Sequence, residues 1–141
     1  MILLTGCTPP SPEPAAPVGS AAPPSASSDL TLLPSDRLAA RRAATAAMRD
    51  YLRTQRSPHA WWAALEPHLS ADARRDYAGT DPATIAAARL TGPATVTPAS
   101  LRSLARVAVP TNNGSYLLLL SPSGGQRWVV ERIVAPEAVS Q

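Results

Sequence analysis

At 141 residues the chain has room for one domain and a tail. Its 13 basic residues are all Arg, the formal charge is only +3, and the arginines read as scattered, so nucleic-acid binding finds no support. A single cysteine excludes an internal disulfide and a multi-cysteine zinc site, and no run approaches the ~20 apolar residues of a membrane helix.

The heavy use of Ala and Pro beside Arg, with no Phe, is what a GC-rich coding sequence produces, which weakens the Arg count as evidence about partners. The N-terminus, Met1-Ile2-Leu3-Leu4-Thr5-Gly6-Cys7, ends in Leu-Thr-Gly-Cys. This resembles the lipobox of bacterial lipoproteins, whose cysteine is acylated and becomes the first residue after cleavage. The resemblance implies Cys7 as the lipid attachment point and the membrane as a partner. No positive n-region precedes the cysteine, so a start codon farther upstream is expected, and residues 1–7 read as a truncated signal. Thr8–Ser28 is a Pro/Ala/Ser stretch with one charge, Glu13. With so few large apolar residues, 8–33 is expected to be a disordered tether, reaching ~80 Å at ~3.1 Å per residue if extended.

Pro34-Ser35-Asp36 opens a long helix running to about Arg53, with Ser35 or Asp36 predicted as N-cap. Ala40, Ala44, Ala47, Met48 and Tyr51 recur at helical spacing, and the arginines take the other side. Pairs such as Arg41-Arg42 and Arg74-Arg75 read as solvated helix faces. Ser57-Pro58 caps and starts a second helix, which Pro67 stops. Its adjacent Trp61 and Trp62 point about 100° apart, so one packs with Leu65 and the other sits at a rim. The candidate partner or ligand contacts are therefore Trp61, Trp62 and Tyr51. Ser70 caps a third helix, Ala71–Ala78, and Gly79 ends it.

Ala86–Thr97 reads as an extended, edge or strongly curved strand bent at Gly92-Pro93. Leu101–Val109 follows, with Leu101, Ser103, Ala105, Val107 and Val109 on one face. Asn113-Gly114 signals a type I′ hairpin turn. A two-residue loop there pairs Val109 with Leu118. A four-residue loop, Thr111–Gly114, pairs Val109 with Tyr116 and eases the register problem of Pro110, which cannot donate. Both put Tyr116, Leu118 and Leu120 on the core face. In Arg127–Val134 Trp128 and Val130 oppose Val129 and Ile133, which suggests a strand covered on both sides or central in its sheet.

Helices followed by antiparallel strands give an α+β class: N-terminal helices packed on a curved antiparallel sheet of three to four strands, cone-like, over 34–136. The order resembles the nuclear-transport-factor-2-like (cystatin-like cone) fold, and more narrowly small actinobacterial lipoproteins of unknown function. The resemblance rests on the lipobox, Trp61-Trp62-Ala63-Ala64-Leu65-Glu66-Pro67, Leu69-Ser70, Tyr77-Ala78-Gly79-Thr80-Asp81-Pro82, Leu90-Thr91-Gly92-Pro93 and Trp128-Val129-Val130-Glu131. Domains like these serve as hydrolases, isomerases, small-ligand pockets, or non-catalytic modules of envelope and secretion assemblies.

No P-loop, nucleophile elbow or metal-ligand spacing occurs, and His59 and His68 share no ligand pattern. Asp50 and Tyr51 are the best remaining base and donor pair, with Asp50 facing solvent; Glu131 and Arg132 are too ordinary to read as a site. The expected function is a lipid-anchored, extracytoplasmic, non-catalytic interaction domain of the bacterial cell envelope, without metal or cofactor, meeting envelope or secretion-complex proteins. The alternative is a cone-pocket small-ligand binder, hydrolase or isomerase.

Overall fold

A computed structural model of the chain describes residue 6 and residues 31–137; Cys7 and the tether through residue 30 lie outside the described residues. Helix α1 (Pro34–Tyr51) is followed by α2 (Pro58–Leu65), a 3-10 turn (Glu66–His68), α3 (Ala71–Tyr77) and a second 3-10 turn (Pro82–Thr84). Four strands close the chain: β1 (Thr95–Val96), β2 (Ala105–Thr111), β3 (Gly114–Pro122) and β4 (Trp128–Val134). They form one open antiparallel sheet in the order β1-β2-β3-β4, each strand beside its sequence neighbour. The fold is α+β, three helices packed on this meander. Ordered contacts begin before the first helix: Thr31 bridges Leu101, and Leu32 is buried in the core.

The predicted alanine stripe is what seats α1. Ala40, Ala44, Ala47 and Met48 have no exposed surface, and the small side chains let the helix backbone approach the sheet closely enough to touch all four strands. The helix starts two to three residues earlier than a cap at Ser35 or Asp36 would place it. Pro34 occupies its first turn after Leu33, with no side-chain cap, because the missing proline N–H falls where a helix has no acceptor for it. Asp36 serves in the first turn instead, beside the positive end of the helix dipole. Ser57 and Ser70 cap α2 and α3 as read from the sequence, accepting from the backbone N–H of Ala60 and Ala73.

The hairpin adopts the four-residue-loop register: Val109 faces Tyr116 and Thr111 faces Gly114. Ala105, Val107, Val109, Tyr116, Leu118 and Leu120 form the core face as predicted. Pro110 is tolerated because its carbonyl accepts from Thr91 N–H at 3.1 Å, so its nitrogen points to the outer side of β2, away from β3. The turn is not type I′. Among the described residues no non-glycine has positive φ, and within this turn Gly114 alone does, at +109°. Asn112 and Asn113 hold the preceding strand segment in place instead. Asn112 accepts from and donates to the Arg89 backbone, and Asn113 Nδ2 donates to the Ala87 carbonyl.

Two further expectations are corrected. Leu101–Leu104 is a tight turn closed by reciprocal backbone bonds, so β2 begins at Ala105 and Leu101 stays exposed. And β4 is an edge strand, not a central one. Leu119 pairs with Arg132 but Leu120 with Val130, so Glu131 is an extra, bulged residue. The bulge moves Ile133 onto the Val130 face, while Val129 stays on the opposite face and is also buried, so β4 is covered on both sides there although it lies at the edge. The outer edge of β4 is closed by Ser70 N–H donating to Val130 O and by the Tyr77 hydroxyl, which accepts from Ile133 N–H at 2.8 Å and donates to Ile133 O.

Gly114 is where the hairpin is least forgiving. A Cβ there would stand 2.9 Å from Pro136 Cβ, on a backbone already in the glycine-favouring region. Gly114→Ala is expected to cost about 1–3 kcal/mol in urea unfolding; an unchanged midpoint would show that the turn relaxes freely.

Candidate functional site

Of the residues that the sequence marks as contacts, Trp61 is sealed in. It has no exposed surface, its Nε1 donates to the Tyr51 carbonyl at 2.9 Å, and its ring lies 6.0 Å from that of Tyr51. It is the anchor that locks α2 to the end of α1. Trp62 is half-buried at the rim and is the one tryptophan of the pair that presents surface. Tyr51 is half-buried, with its ring edge-on to Tyr116 at 6.1 Å.

Burial first, and then the neighbouring Tyr116 and Tyr77, push the Tyr51 phenol up to about 12. Burial also raises Tyr116. Asp50 does not pair with Tyr51 or stand free in solvent. Its carboxylate receives His68 Nε2 at 2.9 Å and Arg56 at 3.5 Å, tying the end of α1 to the turn after α2. Asp50 and Tyr51 diverge because successive helical residues point about 100° apart. Glu131, dismissed from sequence, is a structural hub. Displaced by the bulge, its carboxylate accepts from the hydroxyls of Ser70 and Ser121, joining the α3 cap to β3 and β4. Among the described residues no three His, Cys, Asp or Glu side chains gather, and no helix is long and apolar enough to cross a membrane.

The feature that sequence reading missed is a groove. It runs between the outer flank of α1 and the extended segment Ala88–Val96, as three overlapping hollows of about 480, 310 and 320 Å³. Arg37, Arg41, Arg42, Arg49, Arg53 and Arg89 line it, over a floor that includes Leu38, Leu52, Leu90, Pro93 and Ala94. At about 100° per residue the four arginines of α1, Arg37, Arg41, Arg42 and Arg49, fall within an arc of about 140°, to one side of the alanine stripe, and Arg53 follows just past the helix end. That spacing was the available signal. The linear order hides it, and nothing local announces that Arg89 and the Ala88–Val96 segment fold back alongside.

Among the described residues no carboxylate neutralises this groove: the ion pairs are Arg56–Asp50, His68–Asp50 and Arg75–Asp72. Arg37/Arg41 is a like-charge i,i+4 pair on α1, opposing the helix by about 0.2–0.5 kcal/mol. Arg49, in the last turn, sits at the negative end of the helix dipole, but no carboxylate among the described residues offsets the charges of Arg37 and Arg41, and a bound anion would relieve their repulsion. Comparison with protein-family models, with curated proteins and with solved structures returned no match.

The tyrosine cluster gives a pH prediction. Because Tyr51 lies above its ordinary value of 10.0, the fold favours the neutral phenol. The stability this contributes is complete below pH 10 and is lost as pH rises toward about 12. In an alkaline titration, tyrosinate absorbance from Tyr51 should appear together with loss of the near-ultraviolet dichroism of the fold, and Tyr51→Phe should move that loss to higher pH. Ionisation of Tyr51 near pH 10 with the fold intact would contradict the burial argument.

Proposed function

We propose that this chain is a lipid-anchored, extracytoplasmic, non-catalytic interaction domain of a bacterial cell envelope, a cone-like body held off the membrane by its Pro/Ala/Ser tether. The observation that carries the interaction role is the arginine groove: six arginines line open hollows running beside α1, with no carboxylate partner among the described residues. Three side chains that could otherwise serve chemistry, Asp50, Glu131 and Tyr77, are committed to holding the fold. Asp50 is taken by His68 and Arg56, Glu131 by two serine hydroxyls, and Tyr77 by Ile133.

The anchor rests on Leu4-Thr5-Gly6-Cys7 followed by the proline-rich stretch. The cone rests on a meander whose four strands all reach one helix and whose last strand is bulged, a device that increases coiling.

Expression with the upstream codons in an actinobacterial host should give a palmitate-labelled product that partitions into detergent. A photo-cross-linker at Leu38, in the groove, should then capture an envelope protein. An unlabelled, aqueous product would refute the anchor, and absence of any protein captured from either Leu38 or Trp62 would refute the interaction role.

A further inference from the structure

The groove has a second property that selects among anions. Thr97 N–H donates to Arg106 O, and Thr95 faces Ala108, so these residues turn their backbone polar groups toward β2. By strand alternation Ala94 and Val96 turn theirs outward, and no strand pairs with β1 on that side among the described residues. Ala94 and Val96 also line the groove, opposite Arg37 and Arg41. The hollow therefore offers two kinds of recognition at once: a row of cations, and a short strand edge that no strand pairs with among the described residues, whose Ala94 and Val96 are largely buried and keep only a narrow surface on the hollow. The other edge of the sheet, at β4, is closed by Ser70 and Tyr77, so this is the side on which a strand could be added.

The geometry points to an extended acidic peptide segment of a partner protein as the occupant, added alongside the Ala94–Val96 edge with its carboxylates on the arginines of α1. This rests on the interaction-domain reading and names its partner's chemistry. Backbone pairing would supply affinity, and guanidinium–carboxylate pairs, two bonds each, would select the charge pattern. The exposed Leu38 and the floor residue Pro93 would take apolar side chains between the acidic ones. A phosphate polymer would use the arginines but has no main chain to pair with the edge. A membrane surface is flat and would leave the edge unmet.

The test uses the full chain and a labelled peptide of alternating Glu and Val, followed by fluorescence anisotropy at low and physiological salt. Binding should saturate and weaken with salt. It should fall at least about tenfold (about 1.4 kcal/mol) both for Arg41→Glu/Arg49→Glu and for the same peptide N-methylated at alternate amides, which keeps the charge and removes main-chain donors. Both arginines are exposed, so the double variant should keep its dichroism and melting point; if it does not, Arg41→Gln/Arg49→Gln replaces it with the same expectation. No peptide binding at low salt would overturn the proposal. Equal binding of the N-methylated peptide, or tighter binding to inorganic polyphosphate or to phosphatidylglycerol vesicles, would also overturn it. If the cross-linker at Trp62 captures an envelope protein while the peptide fails here, the interaction role survives and only the acidic-peptide assignment falls.

Discussion

The close seating of an alanine stripe on a sheet is the contact from which the rest of this molecule follows. Ala40, Ala44 and Ala47 carry no side chain longer than a methyl, so α1 lies near the strands, and Met48, Trp61 and Leu65 fill the space around it without exposure. A bulkier stripe would lift the helix and open the core. Because the stripe takes one side of a short helical circumference, the arginines are forced together onto the remaining flank, where the Ala88–Val96 segment runs past them.

The two edges of the sheet are treated differently. At β4 the bulge at Glu131, the backbone of Leu69 and Ser70, and the Tyr77 hydroxyl together consume the outward-facing groups. At β1 only two residues pair with β2, and the neighbouring chain is bent by Gly92-Pro93 and held by asparagine side chains from the hairpin turn. A short, bent edge resists self-association. It still leaves a main-chain rim beside a run of unneutralised cations, and this pairing of features separates the groove from an ordinary solvated helix face.

Much of this was legible in the residues. The period of Ala40, Ala44, Ala47 and Met48, the alternation through Ala105, Val107 and Val109, and the serine caps at Ser57 and Ser70 are local signals, and local physics decides them. What could not be read depended on distant chain. The first Leu of Leu101–Val109 belongs to a turn because Leu101 bonds back to Leu104. The parity of β4 changes at Glu131 because Ser70 and Ser121 hold its carboxylate. Asn113-Gly114 looked like a type I′ turn, yet the asparagines are spent on Ala87 and Arg89 and positive φ is confined to the glycine. Trp61 and Trp62 could be separated into core and rim in principle, but which was which depended on where α1 ends and on the Tyr51 carbonyl that Trp61 meets.

Helix α1 has one side that folds the protein and another that does not. Urea unfolding of the chain with its six groove arginines changed to glutamine tests that division. Surface substitutions of this kind usually move stability by no more than about 0.5 kcal/mol each, in either direction. The six together should therefore leave the unfolding free energy within about 2 kcal/mol of the parent, or raise it as like-charge repulsion is removed. A loss of more than about 2 kcal/mol would mean that the arginine stems are packed as part of the fold, and the groove would then be structure, not a surface left open for something else.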